Sequence, residues 1–196
     1  MNIIPFYSIF GPDPFICGDY SISSIQPSDA EPIRKWRNEQ ISALRQSQKL
    51  TKAEQKHYIN QIVLKDFTNK KPKQILVRFC FHEELIGYGG IVHINWRDLV
   101  AEVSFLLDTS RTKNPHEYAS ELGVFFELIK KVGFIKIGLS KLTTEAYAHR
   151  PYHVSAIENS GFKRDGILKG HARIDGKLVD AVLASCLRAD YINSID

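Results

Sequence analysis

The sequence predicts an α+β domain on a mixed sheet, and three observations predict it. Strand-like runs cluster in the middle of the chain, between residues 74 and 108, and again between 162 and 189. A well-signalled helix separates the clusters: Asn114 caps it, Pro115 starts it, and Leu122, Phe125, Phe126, Ile129 and Val132 follow at helical spacing. The full order is strand, two helices, three strands, helix, strand, helix, two strands, which suits a mixed sheet with helices packed on it.

Each element has its own signal. Asp19 to Ile25 alternates and stops at Gln26-Pro27, as a first strand does. Ser28 with Glu31 reads as a capping box, putting Ile33 and Trp36 on one helical face, and Thr51 with Glu54 reads as a second, ahead of Tyr58, Ile59, Ile62 and Val63. Gln74 to Phe81, Leu85 to Trp96 and Ala101 to Asp108 are three strands joined by His82-Glu83-Glu84 and by Arg97-Asp98. Beyond the Asn114 helix come a strand from Lys141 to Ala148, a short helix from Pro151 closed by Gly161, and a hairpin turned at Asp175-Gly176.

With 196 residues, 43% hydrophobic and 11% aromatic, the chain can close one core. The expected organisation is an N-terminal arm over 1–18, a single domain over 19–191 and a tail over 192–196. Phe6, Tyr7, Phe10 and Phe15 make the arm either a homodimer strap or a flap packed on its own domain. A net charge of +4 suits an anionic small molecule and is too dispersed for nucleic acid. No segment is long and apolar enough for a membrane span, and prolines break the N-terminus where a signal peptide would be unbroken. Cys17, Cys80 and Cys186 have no metal-ligand spacing and read as reduced thiols, which points to the cytoplasm.

Several stretches resemble the GNAT superfamily of N-acyltransferases, specifically its ribosomal-protein and amino-sugar-nucleotide acetyltransferase branch. They are Trp36-Arg37-Asn38, Leu85 to Gly90, Ala101 to Asp108, Glu158 to Phe162 and Asp165 to Gly170, in order across residues 19 to 191. The resemblance implies a mostly antiparallel sheet with a splayed central strand pair. It also implies acetyl-CoA as donor and a small-molecule amine as acceptor, favouring an amino-sugar nucleotide. A protein N-terminal amine is the second choice, and a binding module without catalysis is the alternative from another class.

Coenzyme A offers amides that can pair with an open strand edge, and a pyrophosphate that suits a helix start. The expected donor site is therefore the strand through Phe105, Leu106 and Leu107, then Arg111, Lys113, Asn114 and His116, with Arg150 opposite. The family's loop reads Gln or Arg, two residues, Gly, one residue, then Gly or Ala. Aligned from the strand, Arg111 takes the first place and Asn114 and His116 stand for the glycines; aligned back from the helix, Glu117, Ser120 and Leu122 fall there. Neither register holds glycine, so backbone approaches a phosphate less closely.

An alkyl ammonium must lose a proton before it attacks. Glu102 is the expected base, or else a structural partner of a first-helix arginine such as Arg37; Glu145 flanks the same cleft. The tyrosine that protonates the leaving thiolate in many members is replaced by Ile157. His153 is the expected acid, with Tyr152 and Tyr147 as substitutes. Trp36, Arg37 and Asn38 are expected at the acceptor, although Trp36 fits the core as well. His149, His153 and His171 lack ligand spacing, so no metal is expected.

Overall fold

The computed structural model describes residues 5–195. Its strands are β1 (Phe15–Cys17), β2 (Tyr20–Ser24), β3 (Ile75–Phe81), β4 (Glu84–Asn95), β5 (Val100–Leu107), β6 (Lys141–Tyr147), β7 (Lys163–Ile174) and β8 (Lys177–Leu187). They form one sheet in the order β1-β2-β3-β4-β5-β6-β8-β7. Every neighbouring pair is antiparallel except β5 with β6. The helices are α1 (Ala30–Glu39), α2 (Lys52–His57), α3 (Pro115–Lys130), α4 (Pro151–Asn159) and α5 (Arg188–Ile195). The expected mixed, mostly antiparallel sheet flanked by helices is what the chain builds.

The pleat of β4 and β5 separates two helical layers. On one face Phe105 packs tilted against Phe125 of α3 with ring centroids 4.6 Å apart. On the other, Arg37 of α1 donates to the Tyr88 hydroxyl at 2.6 Å. Gly89 permits the tight packing beneath α3, because a Cβ there would meet the Ser104 carbonyl at 2.2 Å and Phe125 at 2.7 Å. Gly90, at φ +144°, has backbone that a side chain would strain, with the Ile75 carbonyl 2.0 Å from any Cβ.

Several expectations shift. The first capping box is Gln26 with Asp29, whose Oδ2 accepts from the Gln26 N–H at 2.8 Å, while Glu31 is drawn to Arg34. The Thr51–Glu54 box forms as read. The helix behind it is α-helical only to His57, and a π-helical turn over Tyr58–Val63 buries Ile59 and Val63 while leaving Ile62 exposed. Within residues 5–18, β1 pairs with β2, Tyr7 and Phe10 lie in the core, and the Tyr7 hydroxyl accepts from the Leu76 N–H at 3.2 Å. Two aromatic anchors of the proposed dimer strap are therefore spent on its own domain. Residues 192–195 continue α5. No helix among the described residues is long and apolar enough to cross a membrane.

Candidate active site

Strands β5 and β6 share register only from Val100↔Lys141 to Glu102↔Thr143. β6 then follows β8 to Tyr147, and β5 follows β4 to Leu107, so a gap opens between them. Antiparallel bonding alternates along a strand. The Asp108 N–H donates to the Ile86 carbonyl at 2.8 Å, which directs the even-numbered residues of β5 toward β4 and the odd-numbered ones toward the gap. The Leu107 carbonyl confirms the parity by accepting from the Gln40 side chain at 2.8 Å. The Phe105 backbone groups face the gap, where β6 offers no register partner. An amide-rich chain fits this edge as an added strand.

A cleft of about 1160 Å³ surrounds the gap, with Glu102, Ser104 and Phe105 on one lip and Thr144, Glu145 and Tyr147 on the other. A smaller cleft of about 540 Å³ begins at the start of α3, between Thr109, Thr112, Pro115 and Tyr152. Ala43, Arg150 and His153 line both.

Glu102 and Glu145 project to the α1 side from the two lips. Neither pairs with Arg37, which bonds Gln46 and Tyr88 instead. Their partner is Arg45, from the segment between α1 and α2, a residue that the sequence alone did not single out. Its guanidinium is bonded to Glu102 and lies 3.9 Å from Glu145 Oε1. That buried oxygen has no hydrogen-bond partner and lies 3.5 Å from His171 Nε2.

The acceptor trio divides. Trp36 is 4% exposed and belongs to the core, so it is not a cleft residue. Asn38 is turned onto the backbone of Leu50, accepting from its N–H and donating to its carbonyl, both at 2.8 Å. Arg37 does line the cleft.

The phosphate end also differs from expectation. Arg111 is engaged bidentately by Glu121, a residue 3% exposed, and its guanidinium carbon lies 5.7 Å from the centroid of the Phe81 ring. Its charge is therefore already matched within the protein. Leu106 and Leu107 bury their side chains, the Leu106 backbone faces β4 and the Leu107 carbonyl is taken by Gln40. Lys113, Asn114 and His116 are exposed at the start of α3, and the Asn114 side chain already accepts from the His116 N–H at 3.0 Å. Arg150 faces both clefts.

His153 sits where α4 meets α3. Its Nδ1 is 2.7 Å from the hydroxyl of Tyr118, to which Arg150 also donates at 3.2 Å. Desolvation, helped by the Arg150 charge, drives the His153 pKa well below 6.5, so the ring is neutral at pH 7 and not the imidazolium acid expected of a free histidine. Burial raises the Tyr118 pKa. Tyr118 was missed in the sequence because its helical position reads as core.

The profile of the acetyltransferase (GNAT) domain family matches residues 22–183, most of the chain. The chain belongs to the GNAT acetyltransferases. As a GNAT acetyltransferase it takes its acetyl group from acetyl-CoA, and the unpaired edge of β5 fits that donor's amides. No curated protein sequence matches it. Among solved structures, spermidine N-acetyltransferase from Vibrio cholerae in complex with CoA and spermine superposes with a TM-score of 0.79 at 16% identity, covering 90% of this chain and 100% of that one. The dodecameric structure of the same enzyme in an intermediate state gives 0.77 at 16% identity over 92% and 100%. These similarities fix the fold of the GNAT domain; the branch expected from the short motifs is not what they bring forward.

Proposed function

We propose that this acetyltransferase acylates a small amine that enters the cleft from the α1–α2 side while the thioester lies in the gap between β5 and β6. The observation that carries the reading is the pair of carboxylates, Glu102 and Glu145, on the two lips of that gap. In this scheme Glu145 holds the ammonium and Glu102 takes its proton, directly or through a water, before the amine attacks. Arg45 must leave the pair for this to happen. Phe105 backbone holds the donor's amides, and Lys113, Asn114, His116 and Arg150 meet its phosphates in place of Arg111.

The favoured acceptor changes from the sequence reading. Trp36 and Asn38, the residues offered to an amino-sugar nucleotide, serve the core and the Leu50 backbone. The solved relatives include a spermidine N-acetyltransferase, which makes short polyamines the first acceptors to test. The cleft is not uniformly acidic: Lys65 and Lys73 line it as well as Glu54 and Asp66. That mixture suits a short amine better than a long polycation.

Acetyl-CoA offered with spermidine, a short diamine, an amino-sugar nucleotide or an N-terminal peptide, with free thiol followed, tests the assignment. Turnover with the short amines is expected. Turnover with peptide alone would move the protein to N-terminal acetylation. Failure of acetyl-CoA both to bind and to be consumed would leave a binding module.

A further inference from the structure

Resting on that acyl transfer, one step still lacks a donor: the thiolate that leaves must gain a proton, and Ile157 stands where many GNAT members carry tyrosine. The hydrogen bonds around His153 supply a route. Guanidinium nitrogens only donate, so Tyr118 accepts from Arg150 and its own proton points to His153 Nδ1. His153 is thereby held as the Nε2–H tautomer. Its Nδ1 edge is taken by Tyr118, and the ring lines the wall shared by the two clefts.

We propose that Tyr118 is a proton-relay residue acting through His153. The departing sulfur takes the Nε2 proton, Nδ1 takes the phenolic proton, and the negative charge passes to the Tyr118 oxygen, where the charge and hydrogen bond of Arg150 offset part of the burial that disfavours phenolate. One S–H and one Nδ1–H bond form while one Nε2–H and one O–H bond break, so atoms and charge balance. Between turnovers solvent protonates Nε2 and the Nδ1 proton returns to the phenolate, which restores the starting tautomer. The phenol is thus supplied by α3, a different helix from the one that carries it elsewhere in the family, and reaches the sulfur through an imidazole.

Two measurements test the relay. In the protein alone, imidazole ¹⁵N NMR is expected to show His153 neutral with the proton on Nε2, and Tyr118→Phe is expected to loosen that preference. A ring protonated on Nδ1 overturns the proposal, whether or not acetyl transfer has been found. In turnover, Tyr118→Phe is expected to lower kcat by about 10²-fold with little change in KM for acetyl-CoA. Acetyl-seleno-CoA, whose selenolate departs without a proton, is expected to restore most of that loss. Equal losses with both donors, or no loss with either, overturn the proposal. Should Tyr118→Phe fail to fold, His153→Gln carries the same comparison. Absence of turnover in the parent counts against the acyl-transfer reading, and the NMR result then judges the tautomer separately.

Discussion

Glu102 and Glu145 could be read from sequence because a carboxylate in an apolar strand is conspicuous, and parity then places it on a face. Their partner could not. Arg45 lies in a stretch without periodicity, and only the folded chain brings it across the gap. Glu102→Gln should lower kcat by about 10²-fold with acetyl-CoA binding retained, and Glu145→Gln should chiefly raise KM for the amine. Steady-state kinetics with a short amine separates the two. His153 also predicts a pH dependence of stability. Its folded pKa is depressed, so the unfolded chain binds the proton more readily and the native state loses ground as pH falls below about 6.5. The melting temperature should therefore drop more steeply from pH 7 to 5 in the parent than in His153→Asn, and parallel curves would count against a neutral buried ring.

At the scale of elements, strands and caps with local chemistry were legible. Asn114 and Pro115 start α3, Thr51 and Glu54 cap α2, and Asp175 and Gly176, both at positive φ, turn the last hairpin. What escaped depended on distant partners. β1 is only three residues long and exists because β2 pairs with it. The π-helical turn after α2 keeps nearly the apolar spacing of an α-helix. Ser28 has no capping role because it lies inside the 3-10 turn that Gln26 and Asp29 cap, while Glu31 pairs with Arg34. The segment between α1 and α2 reaches the site at both ends of the gap, with Gln40 on the Leu107 carbonyl and Arg45 on the carboxylates. Arg45→Ala should lower KM for a cationic amine several-fold, by removing a competing cation from an exposed pair whose own stabilisation is small. Gly89→Ala, by contrast, should cost about 1–3 kcal/mol in chemical denaturation, since its methyl group meets β5 backbone and Phe125.

For the molecule as a whole, the fold class was accessible from the order of elements, and the site only in outline. Strand order told where a gap must lie; it did not tell that Arg111 would be captured by a buried glutamate, or that a tyrosine from α3 would face His153. Acetyl-CoA binds the native chain and not the unfolded one, so saturation at a hundredfold excess over Kd should add about 2.7 kcal/mol and raise the melting temperature accordingly. A flat titration would remove the donor from the proposal.

The three-residue register between β5 and β6 has a mechanical consequence. Two blocks of sheet, β1 to β5 and β6 to β8, meet at a narrow seam and are otherwise bridged by α3, whose Phe125 grips Phe79 and Phe105 while Phe126 grips Phe162. Rotation about that helical axle would widen or narrow the aperture without breaking either block. Amide exchange at Val103 and Thr143 should accordingly run faster than in the neighbouring ladders and slow when the donor's amide tail bolts the blocks together.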